Sequence, residues 1–149
     1  MKIYFAGSIR AGRDDAEIYR ALILWMKAFG EVLTEHVGDL SMTKQGDDGP
    51  DDRFIHNRDM AWLETSDCVV AEVTLPSLGV GYELGRAVAL KKPILCLYRA
   101  TPGRILSAMI AGSPGLKTAL YSNLDEAKTI VEEFFSSVGK RLRALPDGT

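Results

Sequence analysis

Two carboxylates on separate predicted helices, Glu83 and Asp59, and a loop carrying Ser8 and Arg10 are the groups whose types and spacing could do chemistry in this chain. Glu83 belongs to Ser77-Leu78-Gly79-Val80-Gly81-Tyr82-Glu83-Leu84-Gly85-Arg86, which sets flexible backbone, a hydroxyl and a carboxylate at a strand-to-helix turn. The apolar run Cys68 to Val73 before it reads as a buried strand, and Val80, Leu84, Ala87 and Val88 after it repeat with helical spacing. That spacing puts Glu83 in the first turn of a helix, where free N–H groups and the helix dipole favour an anion, so the carboxylate is expected to be ionised. Asp59 sits four residues after Ile55 and four before Leu63, on the inward stripe of a segment from Asp52 to Thr65. An inward carboxylate needs a partner, a raised pKa or a task. An ion pair with Arg58 or another Arg is the structural alternative.

The second chemical feature is Gly7-Ser8-Ile9-Arg10-Ala11-Gly12-Arg13, which follows the apolar run Ile3 to Ala6. It reads as the turn after a first strand. Guanidinium groups make bidentate bonds to phosphate oxygens, and a loop bounded by Gly7 and Gly12 exposes N–H groups and the Ser8 hydroxyl to the same kind of ligand. A solvated surface loop is the plainer reading. Gly79, Gly81 and Gly85 approximate a dinucleotide fingerprint, but the third spacing is one residue too long and Thr74 to Leu78 intervene after the strand. These glycines could equally serve the turn and its packing.

The elements that must hold these groups fit one domain, because 149 residues with 46% hydrophobic content suffice for one substantial core and not comfortably for two. Lys and Arg total 18 against 20 Asp and Glu, a net charge of −2, which offers no electrostatic grip on nucleic acid. The chain opens directly on Lys2-Ile3-Tyr4-Phe5 with no signal-peptide pattern, and no apolar stretch approaches membrane-spanning length. A soluble cytoplasmic protein is expected, with the nucleus a second location if the source is eukaryotic. Cys68 and Cys96 each lie in an apolar run and read as buried thiols. Their spacing suits no metal site, and His36 and His56 are assigned structural or solvent roles ahead of metal binding.

Taken along the chain, Asp14 with Glu17 resembles a capping box, and Ile18, Leu22, Trp25, Met26 and Phe29 mark a packing helix that Gly30 stops. Glu31 to His36 follows as strand two. Residues 37–52 are polar, with an acidic centre from Gly46 to Asp52, and are expected to form a mobile loop. The ligand spacing of a calcium loop is missing there. After strand three, Pro93 to Tyr98 supplies strand four and Leu116 to Tyr121 strand five, with a short helix over Arg104 to Ile110 between them. Leu124, Ala127, Ile130, Val131, Phe134, Phe135 and Val138 form the stripe of a last helix, and residues 140–149 are expected to be a frayed end. Strands alternating with helices imply a doubly wound α/β fold with a five-stranded parallel sheet and helices on both faces. Ligands are then expected at the carboxyl ends of strands one and three, the two turns already singled out.

Two carboxylates beside a phosphate loop point to bond cleavage at a phosphorylated sugar. In a retaining glycosidase one carboxylate attacks the anomeric carbon while a protonated partner assists the leaving group, and water resolves the covalent intermediate. Glu83 suits the nucleophile and Asp59 the proton carrier. No cofactor is needed for such a reaction.

The segments Tyr4-Phe5-Ala6-Gly7-Ser8-Ile9-Arg10, Leu33-Thr34-Glu35-His36 and Val70-Ala71-Glu72-Val73-Thr74 to Gly85-Arg86-Ala87-Val88 resemble the 2′-deoxynucleoside 5′-monophosphate N-glycosidases, a group within the nucleoside 2-deoxyribosyltransferase-like superfamily. The resemblance runs from Tyr4 to about Met109 and implies a flavodoxin-like fold and a homodimer. It implies that Glu83 attacks C1′ and that Asp59 assists proton transfer and sugar positioning. Water then releases 2-deoxyribose 5-phosphate, with Tyr4 beside the sugar and the carboxylates. It further implies that Ser8, Arg10, Ser77 and Gly79 hold the 5′-phosphate, with Gly12 closing the same turn and Ser107 arriving from the second subunit. Ile9, His36, Ile55 and Met109 would border the base. Three alternatives stay open: a glycosidase of ribonucleotides such as CMP, a deoxyribosyltransferase, and a nucleotide-binding module without chemistry. Arg10 beside Ser8 disfavours the transferase, whose nucleosides carry no phosphate.

Overall fold

The computed structural model describes residues 1–42 and 50–144. Five strands, β1 (Lys2–Ala6), β2 (Glu31–Val32), β3 (Cys68–Glu72), β4 (Ile94–Arg99) and β5 (Lys117–Tyr121), form one all-parallel sheet in the order β2-β1-β3-β4-β5. Five helices connect or flank them: α1 (Ala16–Met26), α2 (Asp52–Thr65), α3 (Leu78–Ala89), α4 (Ala108–Ala111) and α5 (Leu124–Arg143). The order reverses between β1 and β3, which makes the ends of those two strands the topological switch point of a flavodoxin-like sheet.

The apolar runs of β1, β3 and β4 are continuous because these strands are covered on both faces, whereas β5 at the sheet edge is mostly exposed. Ile3 and Phe5 of β1 pack with Leu22 and Met26 of α1 and Phe134 and Val138 of α5. Tyr4 and Ala6, pointing to the opposite face, pack with Leu63 of α2 and Leu84 and Ala87 of α3. Each fully buried Leu or Phe is worth about 1.5–3 kcal/mol relative to exposure, so these two layers fix which face of α2 and α3 meets the sheet.

Local side chains set the element ends. Asp51 accepts from Phe54 N at 2.7 Å and starts α2, Ser77 accepts from Val80 N and starts α3, and Asn123 accepts from Glu126 N and starts α5. Helix α1 departs from the expected capping box, since its N-cap is Asp15 and makes no side-chain cap. The Asp15 carboxylate instead pairs with Arg99 on β4 at 2.7 Å.

Strand two is shorter than expected, and His36 falls in a 3-10 turn over Glu35–Gly38. The hydroxyl of Thr34 accepts from Phe5 N at 2.8 Å and donates to Phe5 O at 2.7 Å, so a side chain occupies the groups that a longer β2 would use. Helix α4 is likewise shorter, beginning after Ser107. Helix α5 continues through Arg143, with Lys140, Arg141 and Arg143 in its last turn where cations offset the helix dipole, so residues 140–143 of the tail expected to fray are helical. Residues 43–49, the middle of the loop expected to be mobile, and 145–149 of the tail lie outside the described residues.

Candidate active site

At the switch point a cleft of about 620 Å³ opens between the turn after β1, one face of α2 and the start of α3. The β1 turn contributes Gly7, Ile9, Arg10 and Ala11, and α3 with its cap contributes Ser77, Leu78, Gly79, Val80 and Glu83. Helix α2 contributes Asp52, Ile55, His56 and Asp59. Those four recur at intervals of three, one and three residues, so they share one face of the helix. The two carboxylates singled out from sequence therefore line one cavity, on facing helices.

Glu83 stands in the second turn of α3, one turn later than its expected place, because the helix begins at Leu78. Its Oε1 accepts a hydrogen bond from the Tyr4 hydroxyl at 2.7 Å. Burial pushes the Glu83 carboxyl up to about 7 and the nearby Asp59 adds to the rise, while the Tyr4 hydrogen bond pulls it down. The rise works against the ionised state expected of a carboxylate near the start of a helix. Tyr4 itself stays protonated, since burial and the adjoining Glu83 both raise its hydroxyl.

Asp59 has the partner that an inward carboxylate needs. Arg58 donates from Nε at 3.0 Å and from a terminal nitrogen at 2.8 Å to the same Asp59 oxygen, with both side chains mostly shielded from solvent. The guanidinium carbon lies 4.6 Å from the centre of the Trp62 ring, a cation–π contact that fixes the plane of the pair. The ion pair and the place on the cleft wall coexist, so neither reading of Asp59 excludes the other.

At the other end of the cleft Arg10 pairs with Asp52 at 2.7 Å, both side chains largely exposed. Ser77 and Gly79 form the start of α3, where N–H groups of the first turn point outward. Gly12 N donates to Ile9 O at 3.3 Å, and a Cβ on Gly12 would meet Leu75 Cδ2 at 2.9 Å. The β1 turn and the turn after β3 thus touch at a position open only to glycine. Ser8 is fully buried, does not line the cleft, and its Oγ has no protein partner.

Besides Ser8 and Gly12, three expected binding residues lie outside the cleft lining. His36 packs with its ring centre 5.7 Å from that of Trp62. Ser107 and Met109 line a second cavity of about 480 Å³ with Ile105, Leu106 and Tyr98, and the two cavities share Ser77, Leu78 and Val80 as a common wall. Ile105 and Leu78 are each 96% exposed and Met109 82%. Sequence reasoning missed Asp52 and His56 on the cleft wall. The signal was present, for both continue the stripe of Ile55 and Asp59. His56 Nε2 lies 3.2 Å from the Tyr82 hydroxyl, tying α2 to α3 beside the cleft. Among the described residues no group of three or more His, Cys, Asp or Glu could hold a metal ion, and no helix is long and apolar enough to cross a membrane.

Residues 3–133 match the nucleoside 2-deoxyribosyltransferase family. The chain is 53% identical over 140 residues to the 5-hydroxymethyl-dUMP N-hydrolase of Tetraodon nigroviridis, covering 92% of this chain and 99% of that one. It is 54% identical over 151 residues to the protein of the same name from Homo sapiens, covering 99% and 87%. Among solved structures, a CMP N-glycosidase of Clostridium botulinum superposes with a TM-score of 0.65 at 18% identity, over 89% of this chain and 99% of that one, a likeness of fold.

Proposed function

Given that the chain belongs to the nucleoside 2-deoxyribosyltransferase family, with relatives of about half identical sequence named as deoxynucleotide N-hydrolases, we propose that it hydrolyses the N-glycosidic bond of a 2′-deoxynucleoside 5′-monophosphate. The products are the free base and 2-deoxyribose 5-phosphate. The observation that carries this reading is the placement of Glu83 and Asp59 on facing walls of one cleft that has Arg10 and the start of α3 at its other end. The names of the relatives favour a 5-substituted deoxyuridylate among the possible substrates.

In the proposed reaction the substrate phosphate sits against Arg10, Ser77 and Gly79, with Gly12 closing the turn that also bears Ser8. Ile9 and Ile55 flank the base, and His36, outside the cleft lining, is assigned no contact with it. The Glu83 carboxylate forms a bond to C1′ as the C1′–N bond breaks and the base leaves as its anion. Water then attacks C1′, frees Glu83 and gives its proton to the Asp59 carboxylate, which passes it to the ring nitrogen of the base. Tyr4 holds the attacking carboxylate in place, and Arg58 orients Asp59. The reaction needs no cofactor.

The working unit is proposed to be a homodimer in which Ser107 and Met109 complete the neighbouring site. The exposed Leu78, Ile105 and Met109 around the second cavity support this, since such a cluster is poorly suited to water. Sedimentation as a monomer at the assay concentration, with full activity, would overturn the dimer.

Incubation with a panel of purine and pyrimidine monophosphates, in deoxy and ribo forms, tests the function. Free base and 2-deoxyribose 5-phosphate are expected from at least one deoxynucleotide. Equal release from the unphosphorylated nucleoside would remove the phosphate from the proposal, and transfer to an added acceptor base would make the protein a transferase.

A further inference from the structure

The turn after β1 is held from below by a residue that does not itself line the cleft. Tyr19, on α1, is completely buried, and its hydroxyl accepts the hydrogen bond of Ser8 N at 3.3 Å. The edge of its ring meets Phe5 at 5.7 Å between centres, with the planes 60° apart. Its Cε2 and Cδ2 atoms lie so close under Gly7 that a Cβ there would stand 3.0 and 3.1 Å from them. The ring thus sets the height of Gly7, and the hydroxyl sets the direction of the Ser8 peptide. With its backbone N–H taken by Tyr19, Ser8 keeps a buried Oγ that has no protein partner.

We propose that Tyr19 is a positioning residue for substrate phosphate, fixing the Gly7–Ser8–Ile9 backbone so that Ile9 and Arg10 project into the cleft. The inference rests on the deoxynucleotide reading of that cleft. The physical reason is that a turn binds an anion well only when its donors are already aimed, because ordering them at the moment of binding costs affinity. Gly7 and Ser8 cannot supply that order themselves. A short loop starting with glycine has wide backbone freedom, and the groups that restrict it must come from another element. Tyr19 reaches the turn from α1, eleven positions further along the chain. Burial and the nearby Glu72 keep its hydroxyl protonated.

The test separates aiming from mere packing. Tyr19→Phe keeps the ring under Gly7 and removes only the oxygen that receives Ser8 N–H. Tyr121→Phe is the matched control, deleting a buried hydroxyl that donates to Glu72 Oε1 at 3.0 Å away from the turn. Thermal melting of both variants and steady-state kinetics with 5-hydroxymethyl-dUMP are measured. For Tyr19→Phe a roughly fivefold to tenfold rise in KM is expected, the size of one lost hydrogen bond, with kcat within about twofold. The unphosphorylated nucleoside should be processed no worse than by the unaltered protein. Tyr121→Phe should lower the melting temperature and leave KM alone. An unchanged KM in Tyr19→Phe, with a melting loss like that of Tyr121→Phe, would reduce Tyr19 to a core residue.

If Tyr19→Phe does not fold, Gly7→Ala disturbs the same contact from the other side, and an unchanged KM there overturns the proposal equally. Calorimetry of the monophosphate on Glu83→Gln protein, with and without Tyr19→Phe, reads the grip without chemistry. A wild-type protein that releases no base would sink the hydrolase reading, and this difference in Kd would still decide the role of Tyr19.

Discussion

The Tyr4 hydroxyl donates to Glu83 Oε1 across 2.7 Å, joining β1 to α3 between residues 79 positions apart. It is the one contribution that pulls the Glu83 carboxyl back down against burial and Asp59, which together hold it near 7. An attacking carboxylate must be ionised, so kcat/KM should rise with pH and level off above about 7. Tyr4→Phe removes the lowering contribution. Its acid limb should move to higher pH, and kcat should fall by roughly tenfold or more, since the carboxylate loses both its charge and its aim. A pH–rate profile of the two proteins checks this, and coincident limbs would dissociate Tyr4 from the titration of Glu83.

Glu83→Gln should lower turnover by roughly a thousandfold or more while leaving the Tyr4 hydroxyl an amide oxygen to donate to. Its effect on stability has the opposite sign. A carboxyl whose folded pKa lies above its ordinary value of 4.5 favours the folded state below that value. The advantage is lost as pH rises from there through about 7. At pH 8 the buried charge costs on the order of 3 kcal/mol, and glutamine removes that cost. The variant should melt at a higher temperature than the unaltered protein at pH 8 and at a similar one at pH 4.5. Chemical or thermal denaturation at the two pH values measures it.

Arg10→Ala should raise KM for a deoxynucleotide by roughly tenfold or more, the loss of a charged hydrogen-bond donor to phosphate, with a smaller change in kcat. Thermal stability should be nearly unaltered, because the Arg10–Asp52 pair is exposed on both sides and such pairs contribute little. Steady-state kinetics beside a melting curve make the comparison. A large melting loss with unchanged KM would assign Arg10 to structure instead.

Gly12→Ala should disturb the site by another route. Its φ of +154° is one that side chains rarely adopt, and the new Cβ would press on Leu75 Cδ2. A loss of about 1–2 kcal/mol is expected, together with a higher KM as the β1 turn is pushed from the turn after β3. Denaturant unfolding with kinetics on the same preparation tests it, and full stability would show that the two turns can separate without strain.

Much of this architecture is written locally. The strands β1, β3 and β4 appear as apolar runs because they are covered on both faces and almost every position is buried, whereas β5 at the sheet edge is mostly exposed, and α2 appears as a stripe because one face packs on the sheet. The stripe placed Asp59 inward, and extended by one turn it would have placed Asp52 and His56 on the same wall. The end of β2 was not legible, since the pairing is cut short by Thr34 bonding to Phe5 on a neighbouring strand. Helix α1 lost the box expected of Asp14 and Glu17 because Asp15 takes the cap position, and the Asp15 carboxylate is bonded to Arg99, 84 residues away, instead of capping.

The sequence by itself determined the order of strands and helices, the two turns that line the cleft, and the two carboxylates on its walls. Spacing and residue type act over a few positions, and those decisions are local. Only the tertiary structure decided how the site is charged and held. Glu83 is raised by a burial no local pattern records, Tyr4 meets it from another strand, and Tyr19 aims the Ser8 peptide from beneath. Protonation and aim depend on what surrounds a group in space, and in a doubly wound sheet those neighbours come from elements far apart in the chain.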